Sequence, residues 1–250
     1  MRLTRTKSTL IPLSLCVLMS LSACQTNDFD STFSGAKESA TGYKTRANKR
    51  MLSIAEQAIA DDRAEEALMF YEKLYLRDPK NPEIALNYAQ VLRKTDHAQH
   101  AVMVLSAFIT PTEGQKKAPK PTAGMLSEFA SSNLELGHFT KTIEIAQQLL
   151  NASKAKLYHP QAYNLLGLAF DAQGAHKDAE NAFRQAMDIW PGTPIIVMNN
   201  LALSLANQGL FDEALTTLRQ ARVLSPDRQE IARNIEIITD LKKAVVKKAL

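Results

Sequence analysis

The chain is short of cysteine, of aromatic residues, of long apolar runs and of net charge, and each shortage excludes something. Only Cys16 and Cys24 are present among 250 residues, so no disulfide framework holds the body together. Aromatic residues make up 6% of the sequence, while Ala and Leu are frequent. That mix suits small-residue helix packing better than a β-sandwich or barrel. Net charge is +4, and Arg2, Arg5 and Lys7 account for three of those charges before residue 24, leaving +1. A nearly neutral remainder gives no electrostatic reason to bind nucleic acid. Apart from Leu10–Leu21, no stretch approaches the ~20 apolar residues that a spanning helix needs. At 45% hydrophobic, the chain nevertheless buries a real core.

Catalytic signatures are missing as well. There is no Gly-rich phosphate loop, no His-Glu-x-x-His and no Gly-x-Ser-x-Gly. His97 and His100 sit three apart, but His97, His138 and His176 all fall near one position of a repeat described below, at an exposed turn. Successive turns of that kind lie roughly 10 Å apart if packed helices are 8–10 Å apart. Metal ligands must converge to about 2 Å from one ion. Asp61-Asp62 and Glu65-Glu66 read as a solvated turn and helix face rather than an acid–base pair. The expectation is a non-enzymatic protein with no cofactor, no metal and no small-molecule substrate.

What is present begins with the leader. Arg2, Arg5 and Lys7 precede the apolar run Leu10–Leu21, and small residues Ser22 and Ala23 follow, as in a secretory signal. Leu21-Ser22-Ala23-Cys24 resembles the lipobox of bacterial lipoproteins. The resemblance implies cleavage after residue 23, lipidation of Cys24 and a periplasm-facing membrane anchor of Gram-negative type. Several acyl chains hold far more firmly than one, at about 0.8 kcal/mol per buried methylene. Gln25 stands where those lipoproteins carry Asp for inner-membrane retention, which implies the outer membrane. Residues 24–46 are rich in Ser, Thr, Gly, Asp and Asn and read as a flexible tether. About 20 such residues reach roughly 25 Å.

From about residue 47 to 226 the pattern is helical and repeats. Five units start near 48, 82, 123, 160 and 195, and are read as 48–81, 82–110, 123–156, 160–193 and 195–228. A Pro- and Gly-bearing loop at 111–122 separates the second from the third. The eighth position holds Ala55, Ala89, Ala130, Gly167 and Ala202, and the twentieth holds Ala67, Ala101, Thr142, Ala179 and Ala214. Small residues there let two helices cross closely. The period of about 34 residues and this signature resemble tetratricopeptide repeats. The expected fold is therefore all-α, a solenoid of five helix–turn–helix units, with residues 227–250 as a C-terminal capping helix whose Ile231, Ile235, Ile238 and Leu241 cover the last apolar face. Its lysines, 242, 243, 247 and 248, complement the helix dipole.

In that family the first helix of each unit lines a concave groove that takes peptides or partner helices. Carried over, its positions are Glu83, Leu86, Gln90, Arg93 and Lys94 in unit two. In unit four they are Gln161, Asn164, Leu168, Asp171 and Ala172. In unit five they are Ile196, Asn199, Leu203, Ala206 and Asn207. Amides at Asn164 and Asn199 suit hydrogen bonding to an extended peptide. Unit two lacks the full basic set of carboxylate-clamp relatives. Lipobox, tether, repeats and the closing region "IIVMNNLALSLANQGLFDEALTTLRQARVLSPD" together resemble the TadD-type lipoproteins of tight-adherence (Flp) pilus assembly. The resemblance implies protein partners among secretin or pilus components. Type IV pilotins, outer-membrane-protein assembly partners and regulators of cell-wall enzymes share the same array and anchor.

Overall fold

A computed structural model of the chain describes residues 46–110 and 120–249. The leader, Cys24, the tether to residue 45, most of the 111–122 loop and Leu250 lie outside the described residues. Within them the chain is all helical. Eleven α-helices pair as α1 (Arg46–Ala60) with α2 (Ala64–Arg77), α3 (Pro82–Lys94) with α4 (Ala98–Ile109), and α5 (Ala123–Glu135) with α6 (Phe139–Asn151). They continue as α7 (His159–Ala172) with α8 (His176–Ile189), α9 (Ile195–Asn207) with α10 (Phe211–Leu224), and a single α11 (Gln229–Ala249). A 3-10 turn, Ser153–Tyr158, leads into α7. The helices begin where the sequence can satisfy their first amides. Pro82 opens α3 behind Asn81, whose side chain accepts from the Glu83 and Ile84 amides at 3.1 and 3.2 Å. Thr122 Oγ1 accepts from Met125 N at the start of α5.

One turn joins the helices of every pair. The fifteenth residue of each unit has left-handed φ: Asp62 (56°), Asp96 (62°), Gly137 (74°), Gly174 (78°) and Gly209 (79°). The next residue's N–H reaches back to the carbonyl at position eleven, as in Arg63 to Ala58 and His97 to Leu92 at 2.7 Å. The other three are His138 to Asn133, Ala175 to Phe170 and Leu210 to Leu205, all at 2.9 Å. This is the left-handed helix stop in which one residue releases the chain and the orphan carbonyls are reclaimed.

The crossing positions close as their sizes require. Ala55, Ala89, Ala130 and Ala202 are fully buried, as are Ala67, Ala101, Thr142, Ala179 and Ala214. Gly167 is tighter still, because a methyl group there would overlap the Phe183 ring. Thr142, the one larger residue at its position, satisfies its hydroxyl by donating to the Ala130 and His138 carbonyls at 3.3 Å. The side chains form two apolar clusters. One runs from Ala55 to Ala182 and the other from Ala179 to Ile238, with Tyr163, Leu168 and Phe170 packed against both.

Consecutive helices pack throughout, and the first helices also pack on one another: α3 on α5, α5 on α7, α7 on α9, and α9 on α11. No two second helices approach comparably among the described residues. The first helices therefore crowd the inner side of the curve and the second helices splay on the outer side.

α11 is more than a cover. Asn234 occupies in α11 the place that Asn200 occupies in α9, because each donates its Nδ2 to an amide oxygen on the preceding first helix. By that register α11 is the first helix of a sixth unit. Its crossing position is Glu236, exposed and far too large, and its turn position is Lys243, where the helix continues instead of stopping. A second helix could not cross it as in the other units, and exposed Arg233, Glu236, Asp240 and Lys243 make that side of it polar.

Candidate functional site

The positions expected to bind lie on the first helices, and several of their side chains are already engaged between units. Arg93 donates from Nε to Glu128 Oε1 at 2.6 Å and from Nη1 to Glu135 Oε1 at 2.8 Å, both on α5. The Glu128 side chain is 6% exposed, so this is a largely desolvated ion pair. Burial pushes the Glu135 carboxyl above its usual 4.5 despite Arg93. Lys94 pairs with Asp62 of the first turn at 2.6 Å. Asp171 accepts from or pairs with His176 Nδ1 at 2.6 Å and accepts Asn207 Nδ2 at 3.2 Å.

The amides form a ladder. Asn200 Nδ2 donates to Asn164 Oδ1 at 3.1 Å, and Asn234 Nδ2 donates to Asn199 Oδ1 at 2.7 Å. Asn199 is buried beneath α11, while Asn164 is half-buried. The Nδ2 group of Asn164 makes no hydrogen bond among the described residues, and neither does half-buried Gln90. Leu168 and Leu203, each four residues after a ladder amide, are half-buried on successive first helices. The groove thus offers donors at Asn164 and Gln90 beside apolar seats at Leu168 and Leu203. In unit three its floor is formed by small residues, Gly124, Ser127 and Ser131, with the Tyr158 hydroxyl 3.0 Å from where a Gly124 side chain would begin.

Sequence reasoning missed the partners: Glu128, Glu135, Asn200 and Asn234. The amides had a signal, since Asn200 and Asn234 stand one period apart. It missed a second knot on the outer side too. Glu180, 6% exposed, accepts from Lys177, from Arg184 and from Gln208 of the next unit. Burial alone would raise its carboxyl, but these bonds outweigh that and hold it below 4.5. Among the described residues no three His, Cys, Asp or Glu side chains gather as a metal site would need. No helix among them is long and apolar enough to cross a membrane.

Curved layering, a first-helix groove and one repeated turn define an α-solenoid suited to protein–protein interaction. Two stretches of it match one family: residues 128–194 and residues 196–224 each match a family profile described as tetratricopeptide repeat. Among solved structures, TTC0263, a thermophilic repeat protein of Thermus thermophilus, is 17% identical with a TM-score of 0.61, over 77% of this chain and 98% of that one. MamA from residue 41 of Desulfovibrio magneticus RS-1 is 18% identical at 0.55, over 74% and 98%. A chain of the APC/C hetero-tetramer Cut9–Hcn1 is 17% identical at 0.63, over 77% of this chain and 36% of its own length. These likenesses show a shared fold. No curated protein matches the sequence.

Proposed function

We propose that this chain is a lipid-anchored, non-enzymatic scaffold at the periplasmic side of the outer membrane, and that it assists assembly of a tight-adherence (Flp) pilus or secretin machine. The anchor reading rests on Leu21-Ser22-Ala23-Cys24 followed by Gln25. The binding reading rests on one geometric observation, the run of Asn164, Leu168 and Leu203 along adjacent first helices, where a donor stands beside two apolar seats. Such a surface takes an extended segment or an amphipathic helix, with main-chain hydrogen bonds at the amide and side chains over the leucines.

Recovery of partners from detergent-solubilised membranes tests both parts. The Cys24→Ser chain is expected to leave the membrane fraction. The Asn164→Ala/Leu168→Asp chain is expected to stay anchored yet lose its partners. Recovery of secretin or pilus components supports the reading. Recovery of barrel-assembly or cell-wall proteins would transfer it to the other lipoproteins that share this architecture.

A further inference from the structure

Because α11 runs straight where every other first helix turns, a cleft of about 470 Å³ stays open between α10 and α11. Its floor carries Leu215 and half-exposed Val246, and its rim carries Arg219, Lys242, Lys243 and Lys247. Lys242 is held by Asp212, which also lines the cleft, and Lys243 by Asp240 at 3.0 Å. Arg219 and Lys247 have no ion-pair partner among the described residues. From residue 241 to 249 there are four lysines and no acid. An occupant must bring carboxylates set between apolar side chains.

Such a surface exists at the other end of the same chain. The outward face of α2 presents Glu65, Met69, Glu72 and Leu76, at steps of four, three and four, all exposed. Met69 and Leu76 are 52% and 73% exposed. Glu65 and Glu72 have no ion-pair partner among the described residues. The neighbouring cations are turned to other contacts, Lys73 over the Phe70 ring and Arg77 to Asn48 Oδ1. The stripe is roughly 16 Å long and the α11 wall of the cleft, Thr239 to Lys247, roughly 12 Å, at 1.5 Å per residue. Equivalent positions on the other second helices do not match. Unit two has Gln99, Met103, Ser106 and Thr110, and unit four has Lys177, Asn181, Arg184 and Asp188.

We propose that the α10–α11 cleft receives α2 of a second copy, in a head-to-tail contact between the two ends of the array. The two surfaces differ, so the contact does not close on itself and copies add in an open series. It is salt-sensitive, because its charges lie at the surface. It makes no use of the groove, so its failure leaves the proposed function standing.

Sedimentation velocity on the full chain in detergent tests it, at about 30 mM and about 500 mM salt. Concentration-dependent growth beyond the monomer is expected at low salt only. Arg219→Glu/Lys247→Glu and Glu65→Lys/Glu72→Lys are each expected to weaken it by roughly tenfold or more. Combining all four, which restores opposite charge across the contact, is expected to recover it. A chain that stays monomeric, association indifferent to either pair, or no recovery in the fourfold variant overturns the proposal. So does a monomer that floats with phosphatidylglycerol vesicles and loses that flotation on Arg219→Glu/Lys247→Glu, which would make the cleft a lipid site.

Discussion

Between their first helices, the second and third units are joined by an ion pair, whereas the fourth, fifth and α11 are joined by amides. At the first junction a single Arg93 reaches two carboxylates on the next first helix, one of them buried. At the later ones, Asn164–Asn200 and Asn199–Asn234 repeat the same neutral bond. An ion pair in a low-dielectric junction is costly to half-remove, because the remaining partner stays buried and unpaired. An amide rung costs only a polar group left short of one bond. The first junction is therefore the brittle one, and the later ones lose stability in small steps.

Breaking the charged junction should show the largest effect. Arg93→Met is expected to cost about 3 kcal/mol, read as a drop in urea midpoint. Adding Glu128→Met should return much of that loss, since no buried charge is then left alone. If the double variant is no better than the single, the comparison fails.

Gly167→Ala tests the body between the junctions. The added methyl meets the Phe183 ring, and overpacking of this kind costs about 1–3 kcal/mol. Phe183→Leu in the same chain should relieve part of it.

At the neutral end, Asn234→Ala should cost about 1–2 kcal/mol and act locally. Hydrogen exchange is expected to speed up in α11 while α3 to α5 stay protected. An equal change at both ends would erase the distinction.

The smallest effect is in acid, and its sign differs between the two regions. Glu180 sits below its usual 4.5, so its contribution is fully present above that value and lost as pH falls through the lower folded value. Glu135 sits above 4.5 through burial, so the folded state gains as pH falls through that raised value towards 4.5. As pH falls through 4.5, Glu180→Gln should flatten the acid limb of stability, and Glu135→Gln should be neutral or stabilising at about pH 7. Urea midpoints across that fall in pH separate the two.

The parts of the molecule that were legible in advance are those where sterics speak through one residue. Five small residues at position eight and four alanines at position twenty, with Thr142 the exception, announce close crossings without any knowledge of neighbours. Gly174 and Gly209 announce turns in the same way. Asp61-Asp62 reads as a solvated turn, but aspartate does not announce a left-handed one, and Asp62 and Asp96 nevertheless hold it. The contacts that engage the first-helix side chains were not legible. Arg93 lies 35 residues from Glu128 and 42 from Glu135, and only the stacking of α3 on α5 brings them together. Asn199 was expected to meet a ligand, and α11 instead continues the array over it, with Asn234 donating to its amide oxygen. A repeat register says where a side chain points within its unit; the next unit decides whether it is free.

Lys243 occupies the one first-helix position among the described residues where the recurring turn is withheld. In evolutionary terms the array lengthens more readily by duplicating an inner unit than by adding one after α11. Duplicating an inner unit reproduces its own stop and its own crossing, while anything appended after α11 finds neither. A lysine and a glutamate, Lys243 and Glu236, thus stand where a further repeat would need a turn and a small residue.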